Sequence, residues 1–149
     1  MLDFPVSLVR FLINLWPPLL FTGISLVKLS QDWRFVRVEM PLRFYNKNVL
    51  GIHFGGSLYS MIDPWYMMML AKNLGSDYHV VDHSASIQYQ NPGLDLVYAE
   101  FLLDNQQIDE IKRQAEGGEK VIKTFTVEIK SIHNDIICTA TKNIYIRKK

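Results

Sequence analysis

The chain has 149 residues, of which 48% are hydrophobic and 21% charged, with a net charge of +1. That length suits one domain, 1–149, with a substantial core, and the balanced charge excludes a protein that lives by neutralising nucleic-acid phosphate. The single Cys138 excludes an intramolecular disulfide and a multi-thiolate metal site, and makes the reducing cytoplasm the simplest expected location.

The first apolar concentration, Phe11 to Leu29, approaches the length of a bilayer span. Asn14 interrupts it, Pro17 and Pro18 break any helix in its middle, and Lys28 lies near its end. The absence of a small-residue cleavage site argues against a secretory leader. The pattern predicts a short helix over about 4–16, stopped by the proline pair, with Leu8, Leu12 and Leu15, or Phe4, Leu8 and Phe11, as its packing face. A helix lying on a membrane surface is disfavoured, because Arg10 is its one basic residue.

Arg34 to Met40 alternates, placing Val36, Val38 and Met40 opposite Arg37 and Glu39, and reads as a strand. Gly55 to Leu74 is apolar nearly all round and reads as one long buried helix, kinked at Asp63-Pro64 and stopped at Gly75. Four further strands are expected in Val81–Tyr89, Leu94–Leu103, Lys120–Ile132 and Ile136–Ile146. Asn91-Pro92-Gly93 reads as a hairpin turn between the first two of these, and Asn134-Asp135 as one between the last two. In Val81–Tyr89 the alternation groups Val81, His83, Ala85, Ile87 and Tyr89 against Asp82, Ser84, Ser86 and Gln88. A polar helix over 105–116 begins at Asp104 or Asn105 and ends at Gly117-Gly118.

One apolar helix needs a sheet wrapped around it, and five or six antiparallel strands suffice. The expected class is α+β. The other face of such a sheet is read as less polar than a monomer should show, which suggests a homodimer or a dimer of dimers.

Chemistry concentrates between Asn48 and Asp63. Gly55 and Gly56 open a helix, where close backbone approach is allowed and first-turn amides have no intrahelical acceptor. Such amides suit a carbonyl oxygen that gains negative charge. Asp63 lies in so apolar a segment that its carboxylate must be paired, protonated or turned to a cavity, which makes it a candidate base or nucleophile. The alternative for Asp63 is a role in the Pro64 kink, and for the glycines close packing of helix on sheet. His79 and His83 stand about 13 Å apart on a strand, too far for one metal ion, and no cofactor or metal is expected.

These residues resemble a motif of the hotdog-fold thioesterases, in the branch similar to the phenylacetate-pathway enzymes. That motif runs Asn-x-x-Gly-x-x-His-Gly-Gly with an acidic residue further on; here Asn48, Gly51, Gly55, Gly56 and Asp63 fall in register. The segment 54–60, Asp63-Pro64, Asp77-Tyr78, Asp82, Pro92-Gly93 and the basic end after Tyr145 are similar to a bacterial domain-of-unknown-function sub-branch. The resemblance implies a hotdog fold, an antiparallel sheet of five to six strands wrapped around a central helix. It implies hydrolysis of an acyl thioester of coenzyme A or a carrier protein at a dimer interface. Gly55 or Gly56 would polarise the carbonyl, Asp63 of the other subunit would activate water or attack, and Asn48 would position the loop. The motif's histidine position is held by Phe54, with His53 one residue earlier. Tyr59, Tyr66 and Met67–Met69 are core or acyl-tunnel candidates, and Arg34, Arg37, Arg43 and Lys47 are candidates to meet coenzyme A phosphates. The same features fit a non-catalytic acyl-thioester or lipid-binding protein.

Overall fold

A computed structural model describes residues 4–149. The chain forms α1 (Val6–Asn14), α2 (Pro17–Leu20), β1 (Ser25–Leu29), β2 (Phe35–Met40), α3 (Gly55–Ile62), α4 (Trp65–Leu74), β3 (Tyr78–Tyr89), β4 (Val97–Leu102), α5 (Asn105–Gln114), β5 (Val121–Ser131) and β6 (Ile136–Lys148). The strands make one antiparallel sheet in the order β1-β2-β4-β5-β6-β3. No helix among the described residues is long and apolar enough to cross a membrane.

The helical segment 55–74 is two helices rather than one. Pro64 has no amide to donate, so the ladder breaks at Asp63-Pro64, although both residues keep helical dihedrals. Its buried face carries Leu58, Met61, Ile62, Trp65, Met69 and Leu70 onto the sheet. Tyr66 belongs to this core: its ring stacks on Phe125 at 4.2 Å and meets Phe101 edge-on at 5.3 Å. β2 buries Val36, Val38 and Met40 as its alternation predicts. β6 buries Cys138, Ala140, Ile144 and Ile146 in one inward row, and burial pushes the Cys138 thiol up to about 12.

Three local expectations need correction. The Asn91–Gly93 turn does not close a hairpin, because β3 pairs with β6 while β4 pairs with β2 and β5. Instead the turn docks on the start of β6, where the Gln90 and Asn91 amides donate to the Ile137 carbonyl and Asn91 Nδ2 to the Ile136 carbonyl. A turn signal is local and carries no information about strands that insert later in the chain. The Asn134 turn does join neighbours, with Asn134 at φ 68° and β5 paired to β6 along its length. Second, α1 packs through Val9 and Ile13, whereas Leu8, Phe11, Leu12 and Leu15 remain exposed. The face is set by Asn14, which reaches the sheet edge: the Leu26 amide donates to Asn14 Oδ1 at 2.7 Å, and Asn14 Nδ2 donates to the Leu26 carbonyl at 3.2 Å. Third, the outer face of the sheet is polar. Arg37 bridges Glu39 and Glu100, and Lys130 bridges Glu128.

The two sheet edges differ. β1 is covered by α1, through Asn14 and through Arg10, whose guanidinium donates to the Val27 carbonyl. β3 is the other edge, twelve residues long, and it is mostly exposed. At the start of α5, Asp104 and Gln107 form a reciprocal capping box that fixes the helix at its predicted point.

Asn14→Ala removes two hydrogen bonds that seal the β1 edge, so it should cost about 1–3 kcal/mol, read from urea unfolding; an unchanged midpoint would show that α1 holds β1 by apolar contact alone.

Candidate functional site

The segment between β2 and α3 is held by side chains that stand in for missing strand partners. Buried Asn46 accepts from the Arg43 amide and donates to the Thr22 and Pro41 carbonyls. Asn48 builds the next turn: its Oδ1 accepts from the Leu50 amide at 2.9 Å and from the Ile52 amide at 3.4 Å. Gly51, at φ 79°, supplies the left-handed residue that this turn requires.

His53 and Phe54 then point in opposite directions, as successive residues of an extended segment must. The His53 side chain is 2% exposed and lies under the 91–95 loop. Its amide donates to the Gly93 carbonyl, and its Nε2 lies 2.8 Å from the Asp95 carbonyl. A carbonyl only accepts, so Nε2 carries the proton and Nδ1 is bare. Nδ1 is buried and has no hydrogen-bond partner among the described residues. Burial therefore holds the imidazole below its ordinary pKa, against the opposing pull of the Asp95 carbonyl. Phe54 faces outward, and its ring lies across Gly56, where a Cβ would come within 2.5 Å of it.

Phe54 caps the front of α3, its carbonyl accepting from the Ser57 and Leu58 amides. Gly55 and Gly56 form the first turn, whose amides have no intrahelical acceptor. The Tyr89 hydroxyl donates to the Gly55 carbonyl at 3.1 Å. Asn48, His53, Gly55, Tyr89 and Gly93 line one cavity of ≈ 360 Å³. Four of the five sequence candidates thus gather at the front of α3, with Gly56 next to this cavity and Tyr89 as an unforeseen neighbour.

Asp63 lies elsewhere. Eight residues of helical backbone separate it from Gly55, a rise of about 12 Å. It borders a separate cavity of ≈ 130 Å³ with Trp16, Tyr59, Ser60 and Pro64. Its Oδ1 accepts from Lys142 Nζ at 2.8 Å, and the same ammonium donates to Asp82 at 2.6 Å. The Lys142 side chain is 1% exposed, while Asp63 is 47% exposed. Burial pulls the lysine pKa down, but the hydrogen bonds it donates to Asp63 and Asp82 raise it by more, so Lys142 stays charged. The Tyr59 ring adds a face 5.8 Å from the ammonium.

Lys142 did not emerge from motif reading, but a signal exists. It sits in the inward row of β6 between Ala140 and Ile144, so strict alternation marks it as a buried cation in need of carboxylates. Asp82 reaches it because of a bulge in β3: the register slips between Asp82 and Ser84, leaving His83 as the extra residue. The slip turns Asp82 to the same face as Ile87 and Tyr89 and leaves Val81 outside, which corrects the simple alternation. Of the cations proposed for phosphate contact, Arg34 is paired with Asp32, and Arg37 with Glu39 and Glu100, whereas Arg43 and Lys47 are exposed on the loop.

The sequence profile of the family described as "Domain of unknown function (DUF4442)" matches residues 6–146. Solved structures with the same fold include a protein of unknown function from Pseudomonas aeruginosa described as a probable thioesterase, with TM-score 0.87 and 17% identity over 98% of this chain and 97% of that one. A protein of unknown function from Chlorobaculum tepidum aligns with TM-score 0.75 and 16% identity, over 96% and 93% of the two chains. A thioesterase from Haemophilus influenzae aligns with TM-score 0.71 and 13% identity, over 98% and 92%. No curated protein matches the chain. The sheet, the central helical segment and these likenesses establish the hotdog fold.

Two measurements test this geometry. Removing both carboxylates in Asp63→Asn/Asp82→Asn strands a buried ammonium and should cost about 3–5 kcal/mol, far more than Asp63→Asn alone; equal losses would mean that Lys142 does not depend on the pair. Separately, the unfolded chain takes up a proton at His53 near pH 6.5 while the folded site resists it, so stability falls as the pH drops below about 6.5 toward the lower folded-state pKa. In His53→Gln that acid-side slope should shrink, as read from unfolding free energies above and below this pH.

Proposed function

Because the chain belongs to the DUF4442 family and has the hotdog fold, we propose that it hydrolyses acyl thioesters of coenzyme A or an acyl carrier, as a homodimer in the cytoplasm. The observation that carries this reading is the pairing of unspent first-turn amides at Gly55 and Gly56 with a half-exposed carboxylate at Asp63. Neighbours in fold named as thioesterases support the reaction class.

Within one chain the glycine pair and Asp63 stand about 12 Å apart, whereas reacting atoms must approach to about 3–3.5 Å. A second copy resolves this, by bringing its Asp63 to the first chain's amides. Two features favour such a copy. The β3 edge is long and open while the β1 edge is covered, and open edges recruit strands. Beside the cavity, the loop also exposes Phe44, Val49, Leu50 and Phe54. A two-fold axis beside β3 would join the sheets and bury this loop. A dimer of dimers would need a further surface.

In the reaction, the Gly55 and Gly56 amides stabilise the oxyanion formed at the thioester carbonyl. Asp63 takes a proton from water as the water oxygen bonds to the carbonyl carbon. The C–S bond then breaks, and the thiolate recovers the proton from Asp63. If Asp63 attacks directly, a mixed anhydride forms, the thiolate leaves, and water cleaves the anhydride. Lys142 keeps Asp63 oriented for either course. Asn48 spends its side-chain oxygen on the turn and acts as a positioning residue.

A non-catalytic acyl-thioester binder is the second reading. It is favoured by Phe54 at the motif's histidine position and by the ion pair that occupies one oxygen of Asp63.

An acyl-CoA panel separates the two. In a thioesterase, Asp63→Asn should lower kcat/KM by about 10²–10⁴-fold, with sedimentation showing a dimer. Equal rates in both proteins remove Asp63 from the mechanism, and tight binding without turnover in the wild type selects the binder.

A further inference from the structure

A third hollow lies between α1 and α4. Leu12, Trp16, Pro64, Met67, Met68 and Ala71 line most of its ≈ 460 Å³, and no charged side chain among the described residues borders it. Its size lies within the range of about 300–1,000 Å³ common to ligand sites. Trp16 and Pro64 also line the smaller cavity that contains Asp63, so the apolar groove and the carboxylate cavity share a wall.

The methionine run is divided accordingly. Met69 is fully buried in the core, whereas Met67 and Met68 turn toward the groove. Unbranched, polarizable side chains of this kind adapt to a flexible apolar occupant. The groove offers almost no hydrogen-bonding partner, so a peptide segment placed in it would strand its own amides and carbonyls. A hydrocarbon chain strands nothing. The exclusion of polar occupants and the wall shared with the Asp63 cavity point the same way.

We infer that the groove between α1 and α4 is the acyl-chain subsite, holding the hydrocarbon tail of a fatty acyl thioester whose carbonyl end reaches Asp63. This rests on the thioester reading above and adds the substrate class to it: fatty acyl chains rather than short or polar acyl groups. It also gives α1 a function. The helix seals the β1 edge through Asn14 and forms the outer wall of the groove through Leu12.

The test reads binding apart from turnover. Trp16 is 47% exposed, whereas Trp33 and Trp65 are each 2% exposed, so Trp16 is the tryptophan open to a quencher in the groove. A non-hydrolysable fatty acyl thioether of coenzyme A, with a doxyl label on its chain, should quench the full-length protein saturably. The quenching should vanish in Trp16→Phe, persist in Asp63→Asn, and weaken at least about tenfold in apparent affinity in Ala71→Phe, where a ring fills the groove. Met67→Phe, on the half-buried wall, gives the same loss and serves if Ala71→Phe does not fold. For turnover, Ala71→Phe should lower kcat/KM for dodecanoyl-CoA about tenfold or more while leaving butanoyl-CoA within about twofold. No saturable quenching in the wild type, quenching unaffected by a folded Ala71→Phe or Met67→Phe, or a change of oligomeric mass in either variant would overturn the subsite. Saturable quenching that Ala71→Phe abolishes, with no thioester turned over, keeps the subsite and removes the thioesterase reading.

Discussion

The ammonium of Lys142 ties together three parts of the fold at one point. It rises from the inward face of β6, meets Asp63 at the break between α3 and α4, and meets Asp82 just before the bulge in β3. A lysine in that row displaces an apolar side chain and carries a desolvation cost, so the cluster is weak evidence for added stability. What it fixes is position. With Pro64 removing a backbone donor, the helical segment has a natural point of play at Asp63, and the Lys142 contact pins that point to the sheet. The bulge is needed for the same reason: without the extra His83, either Asp82 or the Ile87–Tyr89 end of β3 would face solvent.

Much of the architecture follows from patterns that depend on neighbours in sequence. The alternation of Val36, Val38 and Met40, the capping residues of α5, and the run of apolar residues around Asp63 each report a local environment, and the structure agrees with them. The glycine register and its resemblance to hotdog proteins led to the fold. The failures share a different cause. The Asn91–Gly93 turn was assigned a partner strand that belongs elsewhere, because β5 and β6 arrive later and insert between β3 and β4. The α1 face was assigned to its leucines, yet one polar residue, Asn14, orients the helix by completing the hydrogen bonds of an edge strand. Lys142 lies far from the glycine motif and is legible only by parity, in the inward row of β6.

The asymmetry of the sheet edges replaces the argument for association that composition suggested. The outer sheet face carries ion pairs and threonines rather than a bare apolar surface. The uncovered apolar residues instead lie on the outer side of α1 and α2 and on the loop through Phe44, Val49 and Leu50. These are different surfaces with different neighbours. The loop adjoins the Gly55 cavity, and Leu12 and Trp16 border the groove that shares a wall with the Asp63 cavity. The excess of apolar residues in the sequence is thus distributed around the Gly55 cavity and the groove between α1 and α4.

The exchange of order at His53-Phe54 has a structural consequence that constrains any mechanism. The imidazole that would stand at the front of α3 is turned inward by one residue and committed to the Asp95 carbonyl. Gly93 leaves just enough room for it, since a Cβ there would come within 2.8 Å of the ring. Restoring a histidine at position 54 would therefore not move His53; it would add a second imidazole at an exposed site. In its absence the Gly55 cavity holds the backbone amides, the Tyr89 hydroxyl, the already engaged Asn48 side chain and the inward-turned His53. The titratable acceptor among them is His53, and burial holds its pKa below the ordinary value while its Nε2 is committed to the Asp95 carbonyl. On the thioesterase reading proposed above, the carboxylate that the motif brings into register, Asp63, would carry the proton transfer from beyond this cavity. That reading therefore calls for a second chain, because within one chain Asp63 and the glycine pair stand about 12 Å apart.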